Sequence, residues 1–329
     1  MTSPFRLGFL THVHGKAPAA ELYPAIVDLF VAAEELGFDS GWVSQHHLQT
    51  LQGRLPSPLV LLAAVAARTK RIHLGTAIVV LPLEHPVRLA EDASVLDALS
   101  GGRLELGIGS GGPSEDQFAA FGRDPADKRA LYAEHDAQLA AVLRGEPIAG
   151  GLVLQPPAAG LADRLWDSHA SEDRVRAAAS DGRGILLGFG PAESVQLPLA
   201  VAFHDAHRAA GLTGTPRAAA VRAAFPGPSK SEVHDRLAPD TARHLGYHVA
   251  NGWLGPDASM HELLDAMNVS HGTSSDIVES LRADPVLPYS SDLVLAVQNE
   301  STSVDEAIRT LELIATEIAP ALGWSRADG

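Results

Sequence analysis

The stretch from Ile72 to Gly112, IHLGTAIVVLPLEHPVRLAEDASVLDALSGGRLELGIGSGG, constrains the fold more than any other part of the chain. Ile72, Leu74, Ala77, Val79 and Val80 form an apolar run rich in β-branched residues, as in a strand covered on both faces. Leu81-Pro82 stops it. Pro86 then opens a helix at its first position, Val87, Leu89, Ala90, Ala93, Leu96 and Leu99 recur at helical spacing, and Gly101-Gly102 ends it. Leu104, Leu106 and Ile108 alternate as a second strand. It runs into Gly109 to Gly112, a turn almost without side chains where backbone N–H groups can meet a ligand. Strand, crossover helix and strand make one βαβ unit, so the two strands are expected to be parallel neighbours.

The same alternation extends along the chain. Further strands are expected at Phe5 to Leu10, Ser40 to Val43, Arg164 to Trp166, Gly184 to Gly188, Pro216 to Phe225 and Asp292 to Gln298. Helices are expected from about Ala20 to Leu36, Leu59 to Arg68, Arg129 to Leu143, Glu172 to Ala179, Ala192 to Ala210, Ser274 to Ala283 and Val304 to Ala321. Eight strands alternating with helices are the signature of a (β/α)8 TIM barrel, and 329 residues suit one such barrel, so residues 1–329 are read as a single domain. The segment around Phe118, Phe121 and Gly122 reads as a lid or insertion. The glycine- and proline-rich residues 146–162 read as a loop over the carboxyl-end mouth. Residues 226–272 are the least regular, with helical patches near Ser231 to Leu245 and Met260 to Met267.

A formal charge of -15 argues against nucleic acid and anionic membranes, which would repel the chain. The absence of cysteine excludes disulfides, thiol chemistry and thiolate metal ligands. The amino-terminal residues show no signal-peptide pattern and no run reaches membrane-spanning length, so the expectation is a soluble, cytoplasmic protein.

Barrel active sites form at the carboxyl ends of the strands. That rule gathers His12 and His14 after the first strand, His46 and His47 after the second, Ser110, Gly111 and Gly112 after the fourth, Ser168, His169, Ala170 and Ser171 after the fifth, and Gln298 and Asn299 after the eighth. An imidazole titrates near neutrality, which suits His46 to proton transfer, although a loop histidine satisfied by backbone hydrogen bonds fits the same residue. His12-x-His14 also resembles the zinc-holding pair of metal-dependent hydrolase barrels. Those sites want an aspartate ending the last strand, whereas Asp292 begins it, so no metal ligands are assigned. Asp97 and Arg103 are expected to pair and tie helix to strand on the amino side.

The segment GTAIVVLPLEHPVRLAEDASVLDALSGGRLELGIG, with Phe38-Asp39-Ser40-Gly41-Trp42-Val43-Ser44-Gln45-His46-His47 upstream, resembles the luciferase-like flavin monooxygenases over roughly the first 150 residues. The resemblance implies a barrel that uses reduced FMN and oxygen to oxidise a small, largely apolar organic substrate, with a deazaflavin as the alternative cofactor. It implies a cis peptide bond at Ala77-Ile78 that forms a bulge in the strand under the flavin ring, and His46 as the proton-handling residue. Ser110, Gly111, Ala170 and Ser171 would lie near the ribityl phosphate, and His12, His14 and Gln298 in the substrate pocket. It further implies a separate flavin reductase and a homodimer joined through Leu59 to Arg68 and Pro86 to Leu99, where Ala63, Ala64, Ala67 and Ala90 give small apolar faces. The arginine positions of the family's phosphate site hold Ser110 and Gly188-Phe189-Gly190 here. A flavin-free binding protein on the same barrel, or a metal-dependent hydrolase, therefore remain the alternatives.

Overall fold

A computed structural model describes residues 5–48, 53–112, 115–158, 160–188, 192–250 and 252–326. Strands β1 (Arg6–Thr11), β2 (Ser40–Val43), β3 (His73–Thr76), β4 (Val79–Val80), β5 (Leu104–Gly109), β6 (Leu165–Ser168), β7 (Gly184–Leu187), β8 (Ala218–Pro226), β9 (Val269–Gly272) and β10 (Asp292–Ala296) are all parallel. The ring runs β1, β2, β3, β5, β6, β7, β8 and β10, closed by β10 on β1 and on β8. The expected (β/α)8 barrel is therefore the fold.

Helices α1 (Ala19–Leu36), α2 (Pro58–Arg68), α3 (Pro86–Ser100), α4 (Glu115–Ala120), α5 (Lys128–Leu143), α6 (Glu172–Ser180), α7 (Glu193–Ala209), α8 (Lys230–Thr241), α9 (Leu245–Ala250), α10 (Met260–Ala266), α11 (Ser274–Ala283) and α12 (Val304–Leu313) follow the strands. The apolar stripe of α1, Leu22, Ile26, Leu29, Phe30 and Ala33, is buried against the sheet, and Gly37 ends the helix in the left-handed conformation. Inside the barrel Trp42 and Trp166 meet edge to face with ring centres 5.4 Å apart. A side chain at Gly75 would lie 2.1 Å from the Trp42 ring, so filling the barrel with indole requires glycine on the next strand.

One expectation is met and three need correction. The run from Ile72 to Val80 is split into β3 and β4 at the bulge that the resemblance implied. Gly75 pairs with Glu105 and Val79 with Ile108, four residues opposite three, which is a bulge with one extra residue. Residues 146–162 join the end of α5 to the start of β6, so they lie at the amino end of the barrel and not over its mouth. The mouth is covered instead by α4 and by the segment carrying α8, α9, α10 and β9. That last strand was not expected: Val269-Ser270-His271 is short and half polar, and it pairs only with the carboxyl end of β8. Finally, Asp97 does not pair with Arg103. Its carboxylate takes a fork of two bonds from Arg164, at 2.6 and 2.9 Å, and the Leu104 N–H at 3.3 Å. Arg103 spends its guanidinium on the carbonyls of Ala66, Thr69, Ile72 and Ser100 and on the Thr69 hydroxyl.

Candidate active site

The bulge is held from both sides. On the β5 side the Thr76 hydroxyl donates to the Gly107 carbonyl at 2.8 Å and accepts from the Gly107 N–H at 2.9 Å, replacing the ladder bonds that the extra residue displaces. Gly107 has to be glycine, because a Cβ there would sit 2.0 Å from the Thr76 carbonyl oxygen. On the β2 side the Ala77 N–H reaches the Val43 carbonyl at 2.8 Å, and the Gln45 amide accepts from Val80 N–H at 2.7 Å while donating to Glu84 and Pro56. The Ala77-Ile78 peptide bond between these anchors is cis. Ala77 and Ile78 are half-buried, next to the side-chain-free end of β5, where a Cβ on Gly109 would meet Ile78 at 3.0 Å. Ala77 and Ile78 thus form a floor at the carboxyl end of the sheet, on which Ile78 packs against Val80, Leu83 and Phe118.

Beyond the floor, Gly109 pairs with Ser168, so Ser110 and Gly111 lie beside Ala170 and Ser171 at neighbouring strand ends. Ser171 is the N-cap of α6, yet its hydroxyl makes no capping bond, which leaves a hydroxyl and the helix N-terminal N–H groups available to an anion. Glu172 and Asp173 in the first turn oppose this. The sequence reading missed a cation on the same turn: the Lys128 ammonium, from the start of α5, donates to the carbonyls of Gly111 and Gly112. Gly188 is described, but Phe189 and Gly190 lie outside the described residues.

His12, His14, His46 and Gln298 come together around a cavity of about 200 Å³. Asn299 lines it too, and its other walls include Phe225, Met267 and Val269, and Asp240, Arg243 and His244 of the mouth segment, six residues that the sequence reading had not placed there. Ser44 was missed as well, although it follows β2 directly and strand-end polarity was the signal to use. Its hydroxyl lies 2.7 Å from His12 Nδ1 and 3.0 Å from His46 Nε2, and the two ring nitrogens are 3.2 Å apart. Gln298 is 4% exposed; its carbonyl accepts from the Thr11 hydroxyl and its Nε2 has no partner. Asp240 is engaged by the Ser301 N–H, and Arg243 is paired with Glu300. His47 is buried, with its ring on Phe121 at 4.7 Å, in keeping with a structural role.

Burial dominates the electrostatics. It holds His46 down at about 4, with His47 adding to the effect, and His14 at about 4, with His46 adding. His244 is also pushed to about 4, by burial and then by Arg243, and His12 lies well below its ordinary range, by burial and then by His46. The expectation that His46 titrates near neutrality is therefore corrected: at pH 7 these imidazoles are neutral. Among the described residues no group of three or more His, Cys, Asp or Glu is placed to hold a metal ion. Asp292, which the hydrolase reading needed at the mouth, is buried at the amino end beside Arg6.

The model of the luciferase-like monooxygenase family matches residues 5–281. The chain belongs to that family. Among curated relatives, the alkanal monooxygenase alpha chain of the Kryptophanaron alfredi symbiont is 41% identical over 122 residues, which cover 37% of this chain and 34% of that protein. The 4-hydroxyprotoasukamycin monooxygenase of Streptomyces nodosus subsp. asukaensis is 39% identical over 144 residues, 43% of this chain and 38% of that protein. The chain thus spans well under half the length of these relatives. In fold it is similar to the FMN complex of the oxygenating constituent of 3,6-diketocamphane monooxygenase from Pseudomonas putida, with a TM-score of 0.76, 20% identity, and coverage of 97% of this chain and 99% of that one. Among the described residues no helix is long and apolar enough to cross a membrane.

Proposed function

We propose that this chain is a flavin-dependent monooxygenase that takes reduced FMN from a separate reductase and, with oxygen, oxidises a small organic substrate. The observation that carries the reading is the bulge at Ala77 and Ile78, whose Ile78 carbonyl accepts from the Gln45 N–H at 3.3 Å, one residue before His46. Ala77 and Ile78 would support the ring from below, and Ser110, Gly111, Ala170 and Ser171, with the α6 N-terminus and Lys128, would hold the phosphate. When bound, reduced flavin supplies the electrons and the activation of oxygen.

The residues of the chain do the rest. The neutral His46 ring accepts a proton or hydrogen-bonds to a reacting oxygen; at pH 7 it is not a standing acid. Gln298 Nε2 offers a donor to a substrate oxygen, His12 and His14 add polar contacts, and Phe225, Met267 and Val269 exclude water. With Arg243 paired and Asp240 engaged, the cavity favours a compact, uncharged molecule. We infer further that the protein is cytoplasmic, where a reductase can supply flavin. A homodimer through α2 and α3 is supported by Val60, Val95 and Leu99, which are 74%, 47% and 64% exposed beside the exposed Ala64 and Ala67. Ala90, by contrast, is fully buried in the core and contributes nothing to such a face. Sedimentation velocity tests the dimer: a wild-type monomer refutes it, and Leu99→Asp is expected to dissociate it.

The test of function is anaerobic titration with reduced FMN, oxidised FMN and a reduced deazaflavin, followed by oxygen. Reduced FMN is expected to bind most tightly and to be consumed with oxygen. Tighter binding of the deazaflavin would change the cofactor, and binding of none would favour a flavin-free scaffold.

A further inference from the structure

We propose that Ser44 joins His46 and His12 into a proton relay, in which a proton taken up at one ring is released from the other while both rings stay neutral. The inference rests on the functional reading above for its purpose, but its geometry stands alone. Three polar atoms, Ser44 Oγ, His12 Nδ1 and His46 Nε2, lie within 3.2 Å of one another in a site where all three residues are largely buried.

The hydrogens can be counted. Ser44 has one hydroxyl hydrogen and each neutral ring has one N–H. In one arrangement His46 Nε2–H donates to Ser44 Oγ and the Ser44 hydroxyl donates to His12 Nδ1, so His12 carries its hydrogen on Nε2. In the other, His12 Nδ1–H donates to Ser44 Oγ and the hydroxyl donates to His46 Nε2, so His46 carries its hydrogen on Nδ1. The first becomes the second when an acid in the cavity gives a proton to His46 Nδ1, the Nε2 hydrogen passes to Ser44, the serine hydrogen passes to His12 Nδ1, and the His12 Nε2 hydrogen passes to a water in the cavity that both rings line. One proton enters, one leaves, and each ring has changed tautomer.

This solves a physical problem that the site sets itself. Burial makes an imidazolium costly at either ring, so a mechanism in which His46 takes a proton and keeps it is disfavoured. A relay never requires a resting cation. Ser44 is thus a positioning and proton-passing residue that acts through His46. The direct contact between the rings, at 3.2 Å, is longer than either contact to the serine and shares the same ring nitrogens, so it is the weaker route.

Ring nitrogen NMR on the ligand-free protein, with histidine labelled in ¹⁵N and the two rings assigned from His12→Gln and His46→Gln, tests the relay without any cofactor. Neutral rings of matching tautomer at His12 and His46 are expected in the wild type and in Ser44→Thr, whereas in Ser44→Ala, where only the 3.2 Å ring-to-ring contact is left, the ring nitrogen shifts of both residues are expected to change. Hydrogens on His12 Nδ1 and His46 Nε2 together would point both rings at the serine and overturn the relay, as would unchanged ring shifts in Ser44→Ala. In turnover with reduced flavin, Ser44→Ala is expected to be slower by about 10²-fold with a larger solvent isotope effect, and Ser44→Thr to stay near wild type. If the wild type neither binds nor uses flavin, the function fails while the tautomers still decide the relay.

Discussion

The Thr76 hydroxyl offers a sharp test of how the floor is built. Thr76→Val keeps the side-chain shape and removes the one atom that bonds both the N–H and the carbonyl of Gly107, at 2.9 and 2.8 Å, with Thr76 itself fully buried. Leaving a buried donor or acceptor unpaired costs about 1–3 kcal/mol, and two are left; the methyl gained in place of the hydroxyl returns about 1 kcal/mol of apolar burial. The expected net loss is about 1–5 kcal/mol. Thr76→Ser does the opposite, keeping both bonds and losing one buried methyl, at a cost of about 1 kcal/mol. Guanidinium unfolding followed by circular dichroism should therefore rank the proteins wild type, then serine, then valine. If packing alone shaped the bulge, valine would match the wild type and serine would be the weaker. That order would refute the reasoning.

Two further predictions concern the rest of the fold. His14, His46, His169 and His244 titrate near 4 when folded and near 6.5 when unfolded, so between these values the unfolded chain binds more protons. Stability is full above pH 6.5 and falls as pH drops toward 4, by up to about 1.4 kcal/mol per pH unit for each ring; an unfolding midpoint unchanged between pH 7.5 and 5.5 would contradict this. Arg164→Ala strips the buried Asp97 carboxylate of its fork and is expected to cost about 2–4 kcal/mol in chemical unfolding, with Arg164→Lys intermediate. Because the pair lies at the amino end, flavin affinity should be unchanged, and a variant as stable as the wild type would show the pair to be dispensable.

How much of this was readable beforehand depended on how local the signal was. Proline at the start and glycine at the end bounded α3, and the Thr273-x-x-Asp276 capping box marks the start of α11, where both reciprocal bonds form. Strand-end position alone collected His12, His14, His46 and Gln298. The same rule pointed to Ser44, but a serine after a strand carries little information until its neighbours are known. Lys128, Arg164 and the mouth residues Asp240, Arg243 and His244 were illegible for a different reason: each acts on a partner far away in the chain, and no spacing encodes that. Asp97 shows the cost, since the arginine nearest in sequence was not the one that pairs with it.

The sequence by itself determined the barrel, because hydrophobic periodicity and turn residues act within a few positions and an alternation of strands and helices has few ways to close. It also carried the family's floor segment, whose Gly75, Thr76, Gly107 and Gly109 all fall within one ungapped stretch of the chain. Only the tertiary structure decided the protonation of the site and the company its histidines keep. Burial, not residue type, sets an imidazole's charge, and burial is a property of everything packed around it.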